Sequence, residues 1–317
     1  MSQYKNIKGS LLLVLAALIW GLAFVAQTGA ADKIPPLALN ASRSIITAIL
    51  LFVFLAVRRA LFKTPILPPK GKRVKHCLLP GIICGCLLTV SMNLQQFGIV
   101  AYPAGVAAEA RAGFLTALYV ILVPIIGIFL GKKLNLPLIV AVLIATVGIY
   151  LLCVSGGLSG IYMGDVLMFM CAISFALHIL SVDGFGSHTN GILLSMSQFA
   201  VVGILSAILS LIFETTSFPA IFSAWKEILF LGIFSGGIAY TLQIVGQKYA
   251  EPSVASITMS LESVFATLGG WLISGNTLAL REWIGCGLVF VAIVLAQLPS
   301  PFQKNRSKAQ GSSSEGE

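Results

Sequence analysis

Residues 9–31 read GSLLLVLAALIWGLAFVAQTGAA, twenty-three residues without one Asp, Glu, Lys or Arg. A helix rises about 1.5 Å per residue, so about 20 such residues cross the hydrocarbon core of a bilayer. Lys5 and Lys8 stand just ahead of the run. A basic flank before an apolar stretch also marks signal peptides, but their apolar part is only about 7–15 residues long. Nine further runs follow, so the first reads as a retained spanning helix. They lie at 36–57, 77–100, 104–131, 136–153, 162–183, 190–213, 225–248, 252–275 and 281–298. Pro35-Pro36 opens the second, Pro137 the fifth and Pro252 the ninth. A first turn tolerates proline because its N–H groups have no intrahelical partner. Gly156-Gly157 and Gly160 mark the loop before the sixth.

Composition agrees. Of 317 residues 57% are hydrophobic and only 10% charged, against about 25% charged in soluble domains. Too little charge is present to cover a soluble fold, which excludes a nucleic-acid-binding domain, a cytosolic enzyme and a secreted disulfide scaffold. The net charge of +9 is informative through its placement. With the N-terminus inside, the inner segments collect Lys5, Lys8, Arg58, Arg59, Lys63, Lys70, Lys72, Arg73, Lys75, Lys132, Lys133, Lys248, Lys304, Arg306 and Lys308; the outer ones hold Lys33, Lys226 and Arg281. This bias predicts a multi-pass protein of the cytoplasmic membrane with both termini cytoplasmic. Residues 299–317, rich in Ser and Lys, read as a disordered cytoplasmic tail. The six Cys read as small packing residues, since Cys84 and Cys86, two apart on a helix, face different ways and make a poor metal-ligand pair.

The chain repeats itself. Gly9-Ser10 matches Gly164-Asp165 at an offset of 155, which also carries Arg43 onto Gln198. Leu94-Gln95-x-x-Gly98 matches Leu242-Gln243-x-x-Gly246 at 148, and Phe114–Tyr119 aligns with Ile257–Glu262 at 143. The fold expected is therefore all-α and integral to the membrane, ten transmembrane helices in two five-helix halves, 9–153 and 162–298. Five is odd, so the second half enters from the opposite side. Such inverted repeats characterise secondary transporters, whose site lies near the midplane between the halves.

Several segments, namely Trp20-Gly21-Leu22-Ala23-Phe24-Val25, the Arg43 region, Phe114–Pro124, Ser181-Val182-Asp183, Ser195–Phe199 and Met259–Ala266, together resemble the EamA branch of the drug/metabolite transporter superfamily. The resemblance spans residues 9–298 and implies a five-plus-five transporter of small metabolites. Relatives often carry Gly-Glu after the ninth helix, where this chain has Gly275-Asn276.

Polar residues inside spans need a reason, because a charge at a helix centre costs about 2.5–3.5 kcal/mol on insertion scales. Glu262 lies deepest, in the ninth run, and reads as a substrate-amine contact or proton carrier, or else as a helix-packing carboxyl. Arg43 shares a face of the second run with Asn40, Ser44 and Thr47, facing a substrate carboxylate or bracing the outer rim. Glu109 and Arg111 are candidates for a gate or for interfacial solvation, and His178 for a proton relay or a structural hydrogen bond. Polar and aromatic stripes add Trp20, Phe24 and Gln27; Thr89, Asn93 and Gln96; and Tyr240, Gln243 and Gln247. They line a cavity or bond helix to helix. Pro124 should kink the fourth helix.

The substrate-binding set expected is Trp20, Asn40, Arg43, Asn93, Gln96, Tyr119, Tyr240, Gln243 and Glu262, with Glu109, Arg111, His178 and Glu262 as proton or gating candidates. No P-loop, HExxH or GxGD sequence occurs, so the expectation is a transporter without enzymatic activity, resident cofactor or metal. Its expected partners are a small-molecule substrate, membrane lipids and a second copy as homodimer, with no nucleic acid. Export of amino acids or similar polar metabolites by alternating access is the first reading. Efflux of cationic drugs or lipid-like compounds is the alternative.

Overall fold

The structure is a computed structural model and describes residues 2–63, 65–103, 108–132, 136–153, 161–186, 189–274 and 279–296. The predicted tail, the loop glycines 156, 157 and 160, and Gly275-Asn276 lie outside them. Among the described residues there is no strand.

Helices stand at all ten predicted positions: α1 (Ser2–Ala31), α2 (Pro36–Phe62), α3 (Val74–Val100), α4 (Ala108–Ala117 and Tyr119–Phe129), α5 (Leu136–Cys153), α6 (Met163–Gly186), α7 (Gly191–Phe213), α8 (Trp225–Gln247), α9 (Pro252–Met259 and Leu261–Ser274) and α10 (Leu280–Ala296). Seven of them, α1–α4 and α6–α8, are long and apolar enough to cross a membrane. α5 and α10 are shorter, at 18 and 17 residues. α2 runs a turn beyond the apolar stretch because Arg58 and Arg59 end the hydropathy signal without ending the helix. Phe52, Val53 and Phe54 on its outer face are all more than half exposed. Solvent-facing apolar surface of that extent suits lipid.

The two halves are interdigitated rather than side by side. The most extensive packings are α5 on α10, α2 on α7, α3 on α6, α1 on α8 and α1 on α9, with α3 on α7, α4 on α6 and α2 on α8 next. Exchanging each helix for the one five places away leaves this set of pairs unchanged. The close approaches obey the same exchange. A Cβ on Gly9 of α1 would stand 3.0 Å from the Gly246 carbonyl of α8 and 2.8 Å from Tyr249 Cβ. One on Gly164 of α6 would stand 2.9 Å from the Gly98 carbonyl of α3 and 2.7 Å from the Tyr102 ring. Gly9 and Gly164 are matched in the sequence repeat, as are Gly98 and Gly246. Only glycine lets backbones meet this closely.

Two equivalent helices are broken within one position of equivalent places. α4 is interrupted at Leu118, immediately before Tyr119, and α9 at Ser260, two residues before Glu262. In α9 the hydroxyls of Ser256, Thr258 and Ser260 all donate to carbonyls three or four residues back, competing with the helical ladder. In α4 the interruption lies six residues ahead of Pro124, so the expected proline kink is not where the helix breaks.

Candidate functional site

The interrupted helices present Tyr119 and Glu262 to each other. Tyr119 Oη donates to Glu262 Oε1 at 2.9 Å, and both side chains are buried. They are partners in the sequence repeat, so the bond joins one half to the other at matched positions. Around it lies a small cavity of about 50 Å³.

Its wall is built mostly from matched residues. Trp20 and Phe175, Phe24 and Ile179, Met92 and Tyr240, Gln95 and Gln243, Thr116 and Met259, and Tyr119 and Glu262 all line it, and each pair is related by the repeat offsets. Tyr240 anchors the aromatic side, with ring centroids 4.8 Å from Trp20 and 5.1 Å from Phe199. The other lining residues are Phe199 and a group on one side: Ala23 and Gln27 in the last third of α1, Arg43 near the start of α2, and Leu231, Ser235 and Gly236 in the first half of α8. The end of α1 and the starts of α2 and α8 share one face of the molecule, so the cavity reaches from the centre toward that face.

Arg43 is 4% exposed, and no carboxylate pairs with it among the described residues. Its Nε has no hydrogen-bond partner there, nor do Trp20 Nε1, Gln27 Oε1 and Gln243 Oε1. Unpartnered buried polar atoms each cost about 1–3 kcal/mol, and a wall that carries donors and acceptors in this condition is chemically suited to a polar ligand. One cavity thus offers a cation, a carboxylate held by a phenol, free amide oxygens and aromatic faces.

Of the sequence-derived binding set, Trp20, Arg43, Tyr119, Tyr240, Gln243 and Glu262 come together at this cavity. Asn40, Asn93 and Gln96 do not line it. Asn40 Nδ2 donates to the Met92 carbonyl at 3.0 Å and to Asn93 Oδ1 at 2.8 Å; Asn93 Nδ2 donates to Ser206 Oγ at 3.1 Å; Gln96 Nε2 donates to the Gln27 carbonyl at 3.3 Å. Their polar faces meet neighbouring helices, which is the interhelical alternative of the stripe reading. Gln95, one position from the predicted Gln96, is the amide in the wall. His178 is fully buried outside the lining, its Nε2 3.0 Å from Gln198 Oε1. The side chains of Glu109 and Arg111 lie outside the described set. Phe175, Phe199 and Met259 carried no polar signal, and the repeat offset that maps the candidate Trp20 onto Phe175 would have found that one. Among the described residues no group of His, Cys, Asp or Glu could hold a metal ion.

A multi-pass membrane protein of two like halves, with a polar cavity buried between them, has the architecture of a transporter. Residues 7–154 and 162–298 each match the EamA-like transporter family, and the chain belongs to that family, within the drug/metabolite transporter superfamily. It is 30% identical to an "Uncharacterized transporter" of Archaeoglobus fulgidus over 93% of this chain and 87% of that one. It is 26% identical to the "Uncharacterized inner membrane transporter YedA" of Escherichia coli, over 89% and 88% of the two chains. A solved crystal structure superposes with a TM-score of 0.74 at 20% identity, covering 92% of this chain and 97% of that one, a likeness of fold.

Proposed function

We propose that the protein is a secondary transporter that exports small polar metabolites, amino acids foremost, across the cytoplasmic membrane. It works by alternating access between two inverted five-helix halves that make ten spans, with both termini in the cytoplasm. The observation that carries the substrate class is the pairing of opposite charges in one cavity: Arg43, without a carboxylate partner among the described residues, and Glu262, held by Tyr119. A zwitterion presents a carboxylate to the first and an ammonium to the second, and bidentate Arg–carboxylate contacts are strong. The exchange-invariant helix pairing and the matched glycine contacts support a pseudo-twofold relation between the halves. The position of the cavity between the halves fits the midplane sites of such carriers.

The aromatic wall of Trp20, Phe24, Phe175, Phe199 and Tyr240 favours a second reading, efflux of cationic or lipid-like compounds. Arg43 separates the two, since a buried cation repels a cationic substrate. The experiment is counterflow of labelled amino acids into proteoliposomes loaded with the unlabelled pool. Accumulation lost in Arg43→Ala and Glu262→Gln supports the zwitterion reading. Unimpaired cation efflux in Arg43→Ala, with no amino-acid counterflow in the wild type, replaces it with the second.

A further inference from the structure

The cavity is symmetric at its centre and lopsided at its rim. Arg43 and Ala23 line it, whereas their repeat partners, Gln198 and His178, do not. Those partners instead sit fully buried against each other on the opposite side, where α6 ends and α7 begins. Gln198 Nε2, His178 Nδ1 and the fully buried Ser195 Oγ, one turn before Gln198, have no hydrogen-bond partner among the described residues. Burying three such atoms together is unfavourable, and the arrangement suits a surface that meets a polar ligand or water in another conformation.

We infer that Gln198 and His178 form a second substrate contact, the counterpart of Arg43, which faces the cavity when the two halves exchange conformations. This rests on the transport reading above. In an inverted repeat, rocking one half against the other brings the partner of each rim residue to the opening on the other face. The substrate's carboxylate then meets a guanidinium from one face and a neutral amide and imidazole from the other. A charge-assisted contact exceeds a neutral one by enough to change affinity about tenfold. The face served by Gln198 is the cytoplasmic one in the proposed orientation, so cytoplasmic binding is the weaker. At equal concentrations an uncoupled carrier passes no net flux, so the ratio of maximal rate to half-saturating concentration is the same from both faces. The weak cytoplasmic face is therefore also the one with the higher maximal rate, which makes the carrier an overflow valve that works at high internal substrate.

The test uses single-cysteine variants in a background with the six native cysteines replaced. A membrane-impermeant methanethiosulfonate reagent is applied to right-side-out and inside-out membrane vesicles. Arg43→Cys should be modified from one face, and both Gln198→Cys and Ser195→Cys from the opposite face. Modification of all three from the same face overturns the inference, as does failure of both α7 positions to react where Arg43→Cys reacts. An Arg43→Cys that reacts from neither face overturns it too. In proteoliposomes of known orientation the half-saturating concentrations of the wild type should differ about tenfold between faces, and in Arg43→Gln they should converge. Equal values in the wild type refute the asymmetry. Absence of amino-acid transport refutes the substrate class instead, and the labelling pattern decides the exchange independently of it.

Discussion

Gly21 of α1 sits where the fold and the site share one contact. A Cβ built there stands 2.6 Å from Phe265 Cβ, 2.7 Å from the Ala266 nitrogen and 2.8 Å from the Glu262 carbonyl oxygen. Favourable carbon–carbon separations are about 3.5–4.0 Å, so Gly21→Ala must part α1 from α9 by on the order of 1 Å. Two of the three atoms are backbone and the third is a Cβ, so no side-chain rotation relieves the clash. Overpacking of this kind costs about 1–3 kcal/mol, and the rigid surroundings place it at the upper end. Alanine returns about 1 kcal/mol of helix propensity. The net loss expected is about 2 kcal/mol, a shift of up to about thirtyfold in the folding equilibrium. The same displacement shifts the helix that carries Glu262 and disturbs the 2.9 Å Tyr119–Glu262 bond, so transport should fall along with stability. The measurement is an SDS titration in mixed micelles followed by tryptophan fluorescence, with counterflow on the same preparations. Gly184→Ala is the control: that glycine lies in α6 with nothing near its missing Cβ, and the variant should be as stable as the wild type or slightly more so. A Gly21→Ala protein that unfolds with the wild type and transports at its rate refutes the close-approach reasoning.

Two other outcomes follow from the hydrogen bonds. Tyr119→Phe leaves Glu262 without its phenol partner and should cost about 1–3 kcal/mol by the same titration; transferring the pair, as Tyr119→Glu with Glu262→Tyr, should recover more stability than Tyr119→Glu alone because the positions are repeat-related and in contact. Asn40→Ala removes donors from the Met92 carbonyl and Asn93 Oδ1 and should lower stability by about 1 kcal/mol while leaving the ranking of transported substrates unchanged, checked by competition in counterflow.

The helices and the repeat were legible because hydropathy and recurrence are properties of single residues and their spacing. The offset of 143 alone put Tyr119 and Glu262 at matched positions, and the structure bonds them. What spacing does not carry is the identity of the surface a polar face meets. Asn40, Asn93 and Gln96 lie on polar stripes as regular as that of Tyr240 and Gln243, yet they bond to neighbouring helices. The interruptions at Leu118 and Ser260 were equally hidden. One follows from serine and threonine hydroxyls turned back on their own helix; the other has no proline or glycine at the break.

The residues that pack the halves together and those that face the cavity have diverged differently between the repeats. At two pairs of packing positions glycine is kept on both sides, Gly9 with Gly164 and Gly98 with Gly246, each touching the other half's backbone. Symmetric contacts of this kind would let two arrangements of the same halves have similar energy, as the proposed alternation requires. Around the cavity some matched positions hold unlike chemistry, Tyr119 against Glu262 in its wall and Arg43 and Ala23 in the wall against Gln198 and His178 outside it, while Gln95 and Gln243 are kept alike. A site equal from both faces would carry no preference in binding, so any sidedness must come from these unlike pairs. Tyr119 and Glu262 line the centre together, and on the proposed exchange both would meet the ligand in either arrangement and so bear on which substrate is held. On the same proposal the rim pair differs from one face to the other, and Arg43 and Gln198 would be where the two faces differ in affinity.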